Sequence, residues 1–134
     1  MVGIVIITHC QIADELVRAA SLIVGEIPAC IAISISPEEK LESIDERLEQ
    51  AMLSVDQGDG ILILTDLFGG TPSNVSLSFL QDKKVEVVSG VNLPMLLKIS
   101  VAREGKELKE VAREAREAGR KNISVASEIM KKKV

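Results

Sequence analysis

The chain of 134 residues is the length of one ordinary domain, and 46% apolar with 27% charged residues describes a globular protein with its own core. Sixteen Lys plus Arg against twenty Asp plus Glu give a net charge of −4, which argues against nucleic acid as a partner. There is no Trp and no Tyr, and the only Phe are Phe68 and Phe79, which counts against base-stacking platforms and aromatic-walled cofactor pockets.

Met1 to Ile7 is apolar but gives way at once to Thr8 and His9, with neither the basic start nor the small-residue cleavage site of a signal peptide. No apolar run approaches the ~20 residues of a membrane helix, so direct membrane insertion is not expected and a cytoplasmic location is. Cys10 and Cys30 make no disulfide framework and no Cys-x-x-Cys. A single histidine cannot build a His-rich zinc or copper site, and no metal or cofactor is expected.

In chain order, Val2–Ile7 is a continuous β-branched run, the pattern of a strand buried on both faces. Ile12, Ala13, Leu16, Val17, Ala20, Ile23 and Val24 then recur at helical spacing up to Gly25, a stop. Cys30–Ile35 reads as the second strand. Ser36 followed by Pro37, Glu38 and Glu39 predicts an N-cap with proline in the first helical position, opening a helix that carries Leu41, Ile44, Leu48, Ala51, Met52 and Val55 on one face. Gly58-Asp59-Gly60 ends it, Ile61–Leu64 is the third strand, and Asp66 to Gly70 is a loop before a helix that Thr71 is expected to cap and Pro72 to enter. Val85–Val88 is the fourth strand, followed by a helix over Leu93–Arg103 with Pro94 in its first turn. Beyond Gly105 a charged helix buries Leu108, Val111, Ala112, Ala115 and Ala118, with i,i+4 pairs expected between Lys106 and Glu110 and between Arg113 and Glu117. Asn122–Ser127 has strand character, and Lys131 to Lys133 reads as a solvated tail.

Strands alternating with helices predict one α/β domain over residues 1–134. Its doubly wound, mostly parallel sheet takes the flavodoxin-like order 2-1-3-4 with helices on both faces. Chemistry in such sheets lies past the carboxyl ends of the strands where the winding reverses, between the first and third strands. The residues there are His9 and Asp66.

Other sites hosted by this architecture are missing their residues. There is no Gly-x-Gly-x-x-Gly after the first strand, no Gly-Lys-Ser/Thr of a P-loop, no acidic pair of a receiver, and no Gly-x-Ser-x-Gly elbow. What remains is a histidine with a carboxylate and a glycine-rich loop, Gly69-Gly70-Thr71-Pro72, that places free backbone N–H groups and a helix dipole near it. A neutral imidazole beside an anion cradle suits phosphoryl transfer, with Asp66 fixing the tautomer so that the other nitrogen keeps its lone pair. Each residue also has a plain reading. A lone strand-end histidine is ordinarily a polar cap, Asp66 an Asx-turn residue, Gly69 and Gly70 turn formers, and Asn74 a first-turn residue. The coincidence of His9 with the Asp66 loop at the switch point favours chemistry.

Thr8-His9, the stretch Asp66-Leu67-Phe68-Gly69-Gly70-Thr71-Pro72-Ser73-Asn74, and Gly90-Val91-Asn92-Leu93-Pro94-Met95 together resemble the enzyme IIA component of the mannose family of the bacterial phosphoenolpyruvate-dependent sugar phosphotransferase system. The resemblance runs the length of the chain. It implies that His9 accepts a phosphoryl group from phospho-HPr and passes it to an enzyme IIB, with Asp66 as its partner and Gly69, Gly70 and Thr71 holding phosphate. Thr8, Phe68, Pro72, Asn74, Asn92 and Pro94 would then line the site. It also implies a homodimer in which the C-terminal strand joins the partner's sheet. Cys10 departs from the family, where a small residue such as Gly more often follows the histidine. Two readings share this chemistry: a regulatory phosphorelay member without a transport role, and the phosphocarrier subunit of a dihydroxyacetone kinase.

Overall fold

The computed structural model describes residues 1–132. Four strands, β1 (Gly3–His9), β2 (Cys30–Ile35), β3 (Ile61–Thr65) and β4 (Val85–Ser89), form one sheet in the order β2-β1-β3-β4, and every pairing is parallel. The helices are α1 (Ile12–Val24), α2 (Leu41–Val55), α3 (Thr71–Leu77), α4 (Leu93–Ala102), α5 (Leu108–Lys121) and α6 (Ala126–Lys132).

The unbroken apolar runs of β1 and β3 serve two cores at once, because successive side chains of a strand point to opposite faces. Ile4, Ile6, Leu62 and Leu64 bury against α1, α4 and α5, while Val5, Ile7, Ile61 and Ile63 bury against α2 and α3. The same alternation sends Thr8 to the α1 side, where its Oγ1 accepts the Ala13 N–H at 2.7 Å, and His9 to the side of α2 and α3.

At the opposite end of the sheet Arg103, just past α4, is 1% exposed. Its guanidinium donates to the carbonyls of Val2 at 2.8 Å and Ala29 at 3.1 Å, and to that of Pro28, which joins the start of β1 to the approach to β2. Burial lowers the pKa of this guanidinium, with Cys30 and Glu104 opposing in part.

Four local expectations are corrected. In the single chain Asn122–Ser127 forms no strand: residues 123–125 are irregular and α6 follows, with the N–H groups of Glu128 and Ile129 bonding Val125 O at 3.0 and 3.2 Å. A strand needs an edge to pair with, and a segment without one satisfies its backbone locally. The second helix opens at Leu41, four residues after Pro37. Ser36–Glu39 is instead a turn closed by Glu39 N–H to Ser36 O at 3.2 Å, in which Pro37 takes the position that suits its fixed φ. Gly70 occupies the cap position of α3, and Thr71 is its first helical residue with no capping bond. Lys106 pairs with Glu114 at 2.7 Å, since it precedes α5 and i,i+4 geometry does not apply to it; Glu117 pairs with Arg116 and Arg120 instead of Arg113. Lys133 of the expected tail lies outside the described residues.

Candidate active site

The order β2-β1-β3 places two loops beside the end of β1. Ile35 is the register partner of His9, and Cys10 N–H bonds Ile35 O at 2.9 Å, so the Ser36–Glu39 turn starts on one flank. Thr65 is paired with Ile7, so Asp66 begins on the other.

Asp66 meets His9 through a single oxygen. Its Oδ2 accepts the backbone N–H of His9 at 3.1 Å and lies 2.9 Å from the ring Nδ1. A carboxylate has no proton to give at neutral pH, so the contact places the ring proton on Nδ1 and leaves Nε2 with its lone pair. Asp66 Oδ1 is buried without a hydrogen-bond partner, as is the hydroxyl of Ser73. The ring itself is half-exposed.

Gly70 lies against the far edge of the ring. A Cβ built there would stand 2.7 Å from His9 Cε1 and 3.1 Å from Nε2. The backbone that enters α3 therefore runs beside the unprotonated nitrogen, and the first-turn amides of Thr71 and Ser73 have no acceptor within the helix. Gly69, at φ +97°, makes the turn, and the Asn74 amide reaches Gly69 O at 3.5 Å. Cys10 at φ +49° takes the left-handed region that a glycine enters without strain, and its side chain is exposed. Cys30 is half-buried, and burial pushes its thiol up to about 11, with Arg103 opposing in part.

The expected lining residues divide. Thr71 faces the cavity beside His9, and Phe68 stands exposed on the loop. Pro72 is buried in the first turn of α3, and Thr8 is buried in its bond to α1. Asn92 caps α4 by accepting Met95 N–H at 3.0 Å and donates to Gly119 O at 3.1 Å, so its side chain is engaged between α4 and α5; Pro94 lies in that helix's first turn. Neither is brought into contact with His9. Sequence reasoning passed over the opposite flank. A cavity of about 140 Å³ beside His9 is bounded by Cys10, Ser36, Pro37, Glu39 and Thr71. Glu39 is held there by Arg47, eight residues away, and the strand order alone pointed to this loop.

A lone histidine, backed by a carboxylate, stands at the switch point of a parallel α/β sheet. The EIIA-man family, described as "PTS system fructose IIA component", matches residues 3–116, and the chain belongs to it. It is 30% identical over 133 residues to the PTS system fructose-specific EIIA component of Bacillus subtilis, covering 98% of this chain and 91% of that one. Against the PTS system mannose-specific EIIAB component of Escherichia coli K12 it is 33% identical over 91% of its own length, and spans 38% of that longer protein. The crystal structure of a phosphotransferase system component EIIA from Streptococcus agalactiae superposes with a TM-score of 0.86 at 27% identity, covering 95% of this chain and 98% of that one. Membership makes the chain a phosphotransferase with a phosphocarrier role in the sugar phosphotransferase system. No helix among the described residues is long and apolar enough to cross a membrane.

Proposed function

We propose that this protein takes a phosphoryl group from the phosphohistidine of HPr onto Nε2 of His9 and passes it to an enzyme IIB, in the cytoplasm. The observation that carries the reading is the 2.9 Å contact of Nδ1 with Asp66 Oδ2, which leaves Nε2 as the nucleophile. In the transfer the Nε2 lone pair forms a bond to phosphorus as the donor's N–P bond breaks. That electron pair returns to the donor imidazole, which leaves neutral because its other nitrogen keeps a proton. The His9 ring gains positive character, and Asp66 stabilises it. Gly69, Gly70 and Thr71 offer backbone amides and a hydroxyl to the phosphoryl oxygens. Phosphoryl transfer passes through a loose transition state, so positioning and electrostatics are most of what a protein supplies.

Incubation with phosphoenolpyruvate, enzyme I and HPr tests the reading. Wild type should take up acid-labile phosphate and His9→Gln, folded to the same degree, should take up none. Phosphate retained in that variant would remove His9 from the role, since the chain has no second histidine.

The reading includes a two-fold dimer built by exchange of C-terminal segments. Three features support it. β4 pairs on one side only. A trough of about 490 Å³ runs along it beside Lys109, Arg113 and Arg116 of α5. Ile123, Val125, Ile129 and Met130 stand exposed on the segment that would fill an edge.

A further inference from the structure

We propose that Arg47 is a positioning residue of the phosphoryl site: it holds Glu39 in a neutralised pair on the turn after β2, sparing the incoming phosphoryl group an uncompensated carboxylate. The inference rests on the reading of His9 given above.

His9 has a carboxylate on each flank. Asp66 is committed to the ring itself. Glu39, on the other side, borders the same small cavity as His9 and Thr71. Its side chain is only 14% exposed. Four contacts fix it: its N–H closes the turn on Ser36 O, its Oε1 and Oε2 accept from Arg47 Nη1 at 2.7 and 2.9 Å, and Ser43 Oγ donates to Oε2 at 3.0 Å. Arg47 and Ser43 both belong to α2, so a rigid helix holds a wall of the site. The hydrogen bonds from Arg47 hold the Glu39 carboxyl below its usual range.

A phosphoryl group on His9 brings further negative charge into this corner, and like charges repel in proportion to 1/(εr). With Arg47 in place the Glu39 charge is matched. With Arg47 gone, Glu39 is a bare carboxylate on the cavity that it shares with His9. Were the clamp only mechanical, removing either partner would slow transfer. A charge-matching clamp gives opposite signs, because loss of Glu39 leaves the Arg47 cation unspent.

The test measures phosphoryl transfer from phospho-HPr to wild type, Arg47→Met, Arg47→Lys, Glu39→Gln and the double variant Glu39→Gln/Arg47→Met, with thermal melts beside each. At the attenuated strength of a part-exposed pair, Arg47→Met should accept phosphoryl about five- to tenfold more slowly. Glu39→Gln should match or exceed wild type, the double variant should return to within about threefold of it, and Arg47→Lys should lie nearer wild type than Arg47→Met. If Arg47→Met does not fold, Glu39→Gln and Arg47→Lys still decide the sign. Arg47→Met at the wild-type rate overturns the proposal, and so does a Glu39→Gln variant as slow as Arg47→Met with no recovery in the double. Wild type that accepts no phosphate ends the reading of the site and this inference with it, whereas a phosphorylated wild type matched by every variant ends the inference alone.

Discussion

A methyl group at Gly70 would press within 2.7 Å of His9 Cε1, although the φ of −86° there suits any residue. The glycine is required by contact with the ring, and the ring has Asp66 behind it. Gly70→Ala should therefore fold and displace the imidazole. Since a misplacement of about 1 Å can cost on the order of a hundredfold, phosphotransfer should fall roughly ten- to a hundredfold. A rate equal to wild type would mean that the ring has slack. Asp66→Asn addresses the other side. The amide keeps the shape but not the charge that offsets the developing imidazolium. Its second polar atom would occupy the buried site where Oδ1 now has no partner. Transfer should slow by roughly two to four orders of magnitude, the range seen when a catalytic histidine loses its carboxylate, with the fold retained by circular dichroism. Wild-type kinetics in Asp66→Asn would reduce Asp66 to a turn residue.

Among the elements, the least conspicuous tie is Arg103, which closes the end of the sheet remote from His9 by donating to three carbonyls of two chain segments. Arg103→Met leaves the buried Val2 carbonyl without this donor, at about 1–3 kcal/mol, while Ala29 O keeps the Ile4 N–H at 2.9 Å and Pro28 lies at the surface. A loss of about 2 kcal/mol, or roughly 6–10 °C in melting temperature, is expected; a change below 2 °C would show that water replaces the guanidinium freely. Nothing in the spacing of the sequence announces this burial, since an arginine after a helix reads as a solvated end. The four strands and their order were legible because β-branched runs and alternation with helices are local patterns. His9 and Asp66 were legible for the same reason, as strand-end residues at a switch point. The corrections fall where structure depends on more than a local pattern: the turn at Ser36–Glu39, the Gly70 cap of α3, the reach of Lys106 to Glu114, and residues 122–127. The last have strand composition, but composition cannot supply an edge.

At the scale of the molecule, both outer strands offer an unpaired side, and the segment after α5 carries the apolar residues that could answer one of them. Deleting Lys121 to Val134 should convert a sedimenting dimer into monomers or aggregates, and a dimer that survives the deletion would reject the exchange. The site poses a different question of traffic. His9 is 46% exposed, with Asp66 behind Nδ1, the Gly70 backbone along Cε1 and the Ser36–Glu39 turn at the flank. On the reading proposed above, a ring walled on these sides works as a turnstile, admitting one visitor at a time. Velocity plots at several donor concentrations are then expected to run parallel, and intersecting plots would show that donor and acceptor bind together.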